Sequence, residues 1–219
     1  MAAMETYYAE RAAEYESIYA KPERQADLAR LGALLEEAMR GRDVLEAACG
    51  TGYWTTRLAK SARSVLAFDF SEEVLDLAKQ KPDLGPSVQF TIGDAYNPPV
   101  PAKPCNAGVA GFWWSHVPRS RLAEFLTGFH SRLSPGARVV FFDNRYVAGS
   151  STPIHHVDAA GDGWQRRRLQ DGRGFDVLKN FPTADELRSH VSPHAASAEV
   201  IELEYYWLLT YELPTGDSR

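Results

Sequence analysis

The sequence has only two cysteines in 219 residues, Cys49 and Cys105. Two cysteines make no disulfide framework, and without a further ligand cluster they make no metal site. We therefore expect no bound metal and a location in a reducing cytoplasm.

The chain also has no excess of positive charge and no long apolar run. Its formal net charge of -5 argues against nucleic acid or an anionic membrane surface as the main partner. No apolar stretch reaches the ~18 residues of a transmembrane helix, and the amino terminus lacks the basic-then-apolar order of a secretory signal. We expect a soluble protein with no membrane partner that acts on a small molecule.

The composition is that of one ordinary globular domain. With 44% apolar and 24% charged residues, the chain is long enough to bury a sizeable core. We expect a single domain over 1–219, in which 1–40 form a helical cap. Residues 145–182 interrupt the alternation of strands and helices, and an Asp-Gly turn within them predicts a β-hairpin. This insertion is expected to face the substrate.

The most informative stretch is 44–52, an apolar run that breaks into Gly50-Thr51-Gly52 before a helical pattern begins. Glycines on both sides of Thr51 allow a tight turn and leave the amides at the helix start open to a ligand. The stretch therefore predicts a strand, a nucleoside-binding loop and a helix.

Two further strands are predicted to end in carboxylates. Residues 64–68 lead into Asp69, 17 residues beyond Gly52, and 88–92 lead into Gly93, Asp94 and Ala95. An acid at the tip of the second strand can accept hydrogen bonds from both hydroxyls of a ribose. The sequence thus predicts polar groups from three strand ends on one rim.

These motifs resemble those of the class I S-adenosylmethionine-dependent methyltransferases over roughly residues 40–145. The resemblance implies an α/β fold with a Rossmann-like, doubly wound sheet of seven strands. Their order is 3-2-1-4-5-7-6, the last strand is antiparallel, and helices cover both faces. It also implies S-adenosylmethionine as cofactor and S-adenosylhomocysteine as product. The cofactor-binding residues are expected to be Glu46, Gly50, Thr51, Gly52, Asp69, Phe70, Asp94, Ala95 and Gly111.

Within that set the resemblance assigns individual roles. The glycine loop lies beside the methionine part, Asp69 holds the ribose hydroxyls, Asp94 faces the adenine amino group, and Gly111 offers its carbonyl to the cofactor's amino group. Two other functions stay open: a protein that binds the nucleoside without transferring a group, and an NAD-dependent oxidoreductase. Against the oxidoreductase, the third glycine of its Gly-x-Gly-x-x-Gly motif falls at Thr55.

An amino-terminal ridge allows two interpretations. Tyr7, Arg11, Tyr15 and Tyr19 recur every four residues, so a helix would bring them to one side. The helix can cover the sheet edge with its phenol hydroxyls in water. It can also fold over the cofactor, with Arg11 and Tyr15 binding it and Tyr7 facing the substrate.

The acceptor side is predicted from the segments after the fourth and fifth strands. There Trp113 and Trp114 are expected to wall a substrate pocket, His116 is the candidate base, and Asn144 and Arg145 are expected to line the same cavity. Alternatively, one tryptophan packs under the following helix and His116 only ends the loop. The aromatic rim suggests an apolar or aromatic acceptor, methylated at O, N, S or C by direct in-line displacement.

Overall fold

The centre of the molecule is a seven-stranded sheet in the order β3-β2-β1-β4-β5-β10-β9. The computed structural model describes residue 16 and residues 18–168 and 172–216. The strands of this sheet are β1 Asp43–Ala47, β2 Ser64–Asp69, β3 Val88–Ile92, β4 Cys105–Gly111, β5 Leu133–Asn144, β9 Ala198–Glu202 and β10 Tyr206–Glu212.

The predicted order of the seven strands is confirmed. Three further short strands, which form a separate sheet, lie in the sequence between the fifth and sixth of these seven. Strands β1 to β5 pair in parallel, so Val44 lies opposite Val65 on one side and Ala107 on the other. Strand β10 is antiparallel to both β5 and β9. Parallel neighbours require a crossover between them, and helices provide it here.

Five α-helices accompany the sheet in the described part of the chain. The third begins after Ser71, whose hydroxyl accepts a hydrogen bond from the amide of Val74 at 3.4 Å. The fifth begins with a capping box formed by Thr183 and Glu186. Such caps satisfy amides that have no partner inside the helix. The helices are α1 Gln25–Ala38, α2 Tyr53–Leu58, α3 Glu72–Lys79, α4 Leu122–His130 and α5 Ala184–Val191.

The sheet is buried on both faces. Side chains of α1, α2 and α3 form one apolar cluster, which includes the fully buried Leu31 and Leu35. Side chains of α4 and α5 form a second cluster, which includes Phe125 and Phe129. Continuous apolar strands such as β1 are expected in a sheet covered on both sides. In the described residues, no helix combines the length and apolar character needed to cross a bilayer.

A small antiparallel sheet lies beside the carboxyl end of β4. Its strands are β6 His156–Val157, β7 Gly163–Arg168 and β8 Gly174–Leu178. The hairpin pairs Trp164 with Leu178, and residues 169–171 at its turn lie outside the described part. The amide of Asn180 donates to the carbonyl of Ser115 at 2.8 Å, which joins this sheet to the segment after β4.

Candidate active site

A cavity of about 370 Å³ opens at the carboxyl ends of the parallel strands. These ends meet at one edge because β2, β1 and β4 are adjacent and parallel. Seven predicted cofactor residues line the cavity: Gly50, Thr51, Asp69, Phe70, Asp94, Ala95 and Gly111. Local sequence motifs therefore identified most of one continuous wall.

The glycine loop needs its glycines for two different reasons. Gly50 and Gly52 have φ angles of +54° and +78°, in the left-handed region that favours glycine. A Cβ on Gly50 would meet no atom within 4 Å, whereas one on Gly52 would lie 3.0 Å from the Cβ of Ala78. Gly50 thus leaves the cavity open, and Gly52 allows the loop to pack closely against α3.

Asp69 fastens this loop to the second strand. Its carboxylate accepts hydrogen bonds from the amides of Gly50 at 2.9 Å and Ser71 at 3.2 Å. Burial raises the pKa of Asp69, while these amides oppose the rise. A carboxylate has about four acceptor positions, so these two contacts leave capacity for ligand hydroxyls.

Glu46, like Gly52, does not line the cavity with the other seven predicted cofactor residues. It is buried in β1, and the Thr55 hydroxyl donates to its carboxyl at 2.7 Å. Burial, with a smaller contribution from the charge of Asp69, raises the pKa of Glu46 to about 8. The carboxyl is therefore mostly protonated at neutral pH and supports the loop from beneath.

Aromatic side chains form the opposite wall. Trp113 lines the cavity and lies edge-on to Tyr96 and Phe125. Its buried indole N–H has no hydrogen-bond partner among the described residues. The guanidinium of Arg121 lies 3.6 Å from the centre of the Tyr96 ring at the same wall. This wall offers flat apolar surface and one unused donor.

A second cavity, of about 350 Å³, shares Phe112 and His116 with the first. Phe112 has a φ of +58°, which is rare for a residue with a side chain and is typical of functional positions. Asn144, a predicted substrate residue, also lines the second cavity. The two cavities therefore meet at a strained aromatic residue and a histidine.

A buried polar network holds the segment that carries His116. Asp143 accepts hydrogen bonds from the ammonium of Lys179 at 2.9 Å and from the amide of Ser115 at 3.0 Å. Lys179 also donates to the Ser115 hydroxyl. Nδ1 of His116 lies 2.7 Å from the carbonyl oxygen of Leu178, which can only accept, so Nδ1 carries the proton. Burial and the charge of Lys179 lower the pKa of His116 well below its usual range.

Two predicted substrate residues lie elsewhere. Trp114 lines neither of the two cavities, because it is buried against Phe141 and Trp207 under the sheet. Arg145 turns away, donates to the carbonyl of Leu203 and pairs with Glu202 at 3.3 Å. Neither residue faces the two cavities, so both are corrected as residues of the predicted acceptor pocket. A short helical turn over Trp114–His116 follows β4 and directs Trp114 into the core, and Arg145 lines a third cavity beside Glu202.

Three predicted residues, Tyr7, Arg11 and Tyr15, lie outside the described part of the chain. Conversely, the sequence did not single out Arg24 and Lys179, which line the second cavity. Neither belongs to a motif, and only its position directly after the apolar pair Val177 and Leu178 distinguishes Lys179 from a surface lysine. In the part of the chain that is described, no group of three or more His, Cys, Asp or Glu side chains is placed to hold a metal ion.

Comparison with protein families gives a match to a methyltransferase domain over residues 44–136. The demethylmenaquinone methyltransferase of Staphylococcus epidermidis is 35% identical over 104 residues, covering 46% of this chain and 42% of that protein. The magnesium-protoporphyrin O-methyltransferase of Rhodobacter capsulatus is 38% identical over 66 residues, covering 29% and 30% of the two chains. This chain thus spans less than half the length of these curated relatives.

Solved structures match over nearly the whole chain. A DhpI–SAH complex is 31% identical, covers 97% of this chain and 96% of its own, and has a TM-score of 0.77. A DhpI–SAM–HEP complex is also 31% identical, with coverage of 95% of both chains and a TM-score of 0.76. The likeness therefore extends well beyond residues 44–136, which the family match covers.

Proposed function

The chain belongs to the class I S-adenosylmethionine-dependent methyltransferases, and we propose that it transfers a methyl group from S-adenosylmethionine to a small-molecule acceptor. The observation that carries the proposal is the pair of cavities that meet at Phe112 and His116. One cavity has the cofactor motifs, and the other has a separate polar lining. A protein that only bound the nucleoside would need no second cavity there.

The residues of the first cavity fit the cofactor. Asp69 has acceptor capacity left for the ribose hydroxyls, and Gly50 faces open space where a side chain would obstruct a ligand. Trp113 presents a flat face and an unpartnered indole N–H. Phe70 and Asp94 line the same cavity. The proposed cofactor residues in contact are Gly50, Thr51, Asp69, Phe70, Asp94, Ala95 and Gly111, with Gly52 and Glu46 supporting the loop.

When bound, S-adenosylmethionine supplies a methyl group on a positively charged sulfur, which is already activated for direct in-line displacement. The chain's contribution is then mainly alignment and exclusion of water. Holding two reactants in line can account for roughly 7 to 11 kcal/mol of a reaction barrier. Phe112, fixed by the hydrogen bond from its amide to the carbonyl of Phe142 at 2.7 Å, is the side chain that separates and orients the two ligands.

His116 is the proposed catalytic residue because it faces both ligands. The neutral ring, protonated at Nδ1, has its lone pair on Nε2. That nitrogen can take the proton of an acceptor that arrives protonated as the methyl group is transferred. Because the pKa of His116 is lowered, the ring then passes this proton on to solvent rather than keeping it. For an acceptor that arrives ionised, the ring instead orients the attacking atom. Asn144 is the proposed neighbouring contact on the acceptor side.

The relatives support a small molecule as acceptor. The names of the Staphylococcus and Rhodobacter proteins refer to a menaquinone precursor and a magnesium porphyrin. The DhpI complex holds a further compound, HEP, together with SAM. None of these names describes a macromolecular acceptor, and the second cavity has the size of a small ligand.

Calorimetric titration with S-adenosylmethionine, S-adenosylhomocysteine and NAD tests the cofactor assignment. We expect both S-adenosyl compounds to bind and NAD not to bind. Asp69→Asn should weaken their binding about 10- to 100-fold, because a hydrogen bond to a charged group contributes about 1.5 to 3 kcal/mol. Asp83→Asn is the matched control, since Asp83 is exposed and does not line the cavity.

The outcomes separate the alternatives. Binding of NAD with no binding of the S-adenosyl compounds would mean an oxidoreductase. If Asp69→Asn and Asp83→Asn weakened binding of the S-adenosyl compounds equally, Asp69 would not be a cofactor-binding residue. Binding without methyl transfer to any of a panel of quinone, porphyrin and anionic acceptors would favour a protein that binds the nucleoside without catalysis.

A further inference from the structure

The second cavity is lined by an unusual concentration of positive charge. Six of its lining side chains are lysine or arginine, and none of its described lining residues is Asp or Glu. These cations come from three separate segments of the chain, so no single run of charge explains their meeting. The six are Lys21, Arg24, Arg166, Arg167, Arg168 and Lys179.

Some of these charges already have carboxylate partners. Lys179 pairs with Asp143 at 2.9 Å, and Arg166 pairs with Asp176 at 3.1 Å on the outer side of the hairpin. Both pairs are therefore satisfied within the protein. They contribute to the positive potential but do not need a ligand.

Arg24 and Lys21 are different, because their side chains donate hydrogen bonds to neutral groups. Arg24 donates to Oδ1 of Asn144 at 3.0 Å and to Oγ of Ser150 at 2.9 Å. Lys21 donates to the carbonyl of Ser150 at 2.8 Å. Neither side chain forms an ion pair with a carboxylate of the described residues.

Arg24 is also only 6% exposed. A buried charge without a counter-charge is costly, and proteins usually pair it or use it to bind a ligand. The cost is increased by its cationic neighbours: burial, together with the charges of Arg167 and Arg24, lowers the pKa of Lys179. A nearby carboxylate, that of Glu23, accepts a hydrogen bond from the Ser150 hydroxyl at 3.1 Å and acts on the two cations from there, so no carboxylate of the described residues pairs directly with Arg24 where it faces the cavity.

We infer that the second cavity binds an anionic acceptor, a small molecule that carries a phosphate, phosphonate or carboxylate group, with Arg24 as its anchor and Lys21 beside it. This inference rests on the proposed function, in which this cavity is the acceptor side. A guanidinium is suited to such groups because its fork of N–H donors matches two oxygens of an oxyanion. Phe112 and Phe181, which line the same cavity, then pack against the rest of the acceptor, and recognition of the oxyanion sets which molecules bind.

The test is calorimetric titration of the protein, saturated with S-adenosylhomocysteine, with inorganic phosphate, methylphosphonate and acetate at constant ionic strength. We expect at least one of the three anions to bind at a single site. Arg24→Gln should weaken that binding roughly tenfold or more, as expected for a lost charge-assisted contact. Arg30→Gln, an exposed arginine on α1, is the matched control and should leave the binding unchanged.

A second variant guards against misfolding of Arg24→Gln. Lys21→Gln changes a less buried cation of the same cavity and should weaken anion binding while the unfolding midpoint stays near that of the unsubstituted protein. Arg24→Lys keeps the charge but loses the planar fork of donors. This variant should bind the anion more weakly than the unsubstituted protein and more tightly than Arg24→Gln.

The anion panel also identifies the chemistry. Binding of phosphate and methylphosphonate without acetate assigns a phosphorus oxyanion, and acetate alone assigns a carboxylate. If S-adenosylhomocysteine binds and none of the anions does, or if Arg24→Gln and Arg30→Gln weaken binding equally, the inference is wrong and the proposed function stands. If the anions bind in the absence of any S-adenosyl binding, the proposed function fails and the anion site remains.

Discussion

Glu46 should make the protein less stable as the pH rises. It is 2% exposed in β1, and its carboxyl accepts a hydrogen bond from the Thr55 hydroxyl. Burial first, and then the charge of Asp69, raises its pKa from 4.5 to about 8. A carboxyl whose pKa is raised by folding contributes fully below the unfolded value of 4.5. That contribution is lost progressively as the pH rises toward about 8.

The size of the effect follows from the shift. One pKa unit corresponds to about 1.36 kcal/mol, so this shift lowers the free energy of unfolding by roughly 3 kcal/mol between about pH 5 and pH 8. That is a large share of the ~5 to 15 kcal/mol by which typical domains are stable. Other titrating groups change the profile too, so the difference between two variants is the informative quantity.

The assay is urea unfolding of the unsubstituted protein and Glu46→Gln at a series of pH values across this range. Glutamine keeps an acceptor for Thr55 and cannot ionise. We expect the difference in unfolding free energy to shift in favour of the variant by about 3 kcal/mol from the acid to the alkaline end. Glu37→Gln, on an exposed position of α1, should follow the unsubstituted protein. A constant difference between Glu46→Gln and the unsubstituted protein across the range would refute the reasoning.

Three other predictions concern the same region. Lys179→Met should cost about 3 to 5 kcal/mol of stability by urea unfolding, because it leaves the Asp143 carboxylate buried without its counter-charge. Gly111→Ala should cost about 1 to 3 kcal/mol and weaken S-adenosylhomocysteine binding, because a Cβ there would lie 2.3 Å from the Phe142 ring. If the ammonium of the bound cofactor comes close enough to Glu46 to favour its ionised form, binding should release a proton near pH 7, seen as a buffer-dependent calorimetric enthalpy.

Each of these has a control and a contrary result. Adding Asp143→Asn to Lys179→Met should recover part of the lost stability, and no recovery would contradict the buried-charge explanation. Gly85→Ala is a matched control for Gly111→Ala, since a Cβ there would meet only the Ser87 hydroxyl, at 3.9 Å. A binding enthalpy that does not depend on the buffer would mean that Glu46 does not lose its proton when the cofactor binds.

The sequence by itself determined the sheet and the cofactor wall. The glycine loop, Asp69 and Asp94 each follow directly after an apolar run, so local pattern fixes both their conformation and their strand end. Parallel strands then bring all such ends to one edge without further information. For the same reason the strand order, which follows from the resemblance, needed no side-chain detail.

Only the tertiary structure decided which residues line the second cavity. Arg24 meets Asn144 across 120 residues of chain, and Lys179 meets Asp143 across 36, so no local pattern reveals either contact. Whether Trp113 or Trp114 faced a cavity depended on how the turn after β4 packs on the sheet. Short sequence motifs predict the residues of the first cavity because those residues lie at the ends of neighbouring strands. The charge of the second cavity depends on side chains that only folding brings together.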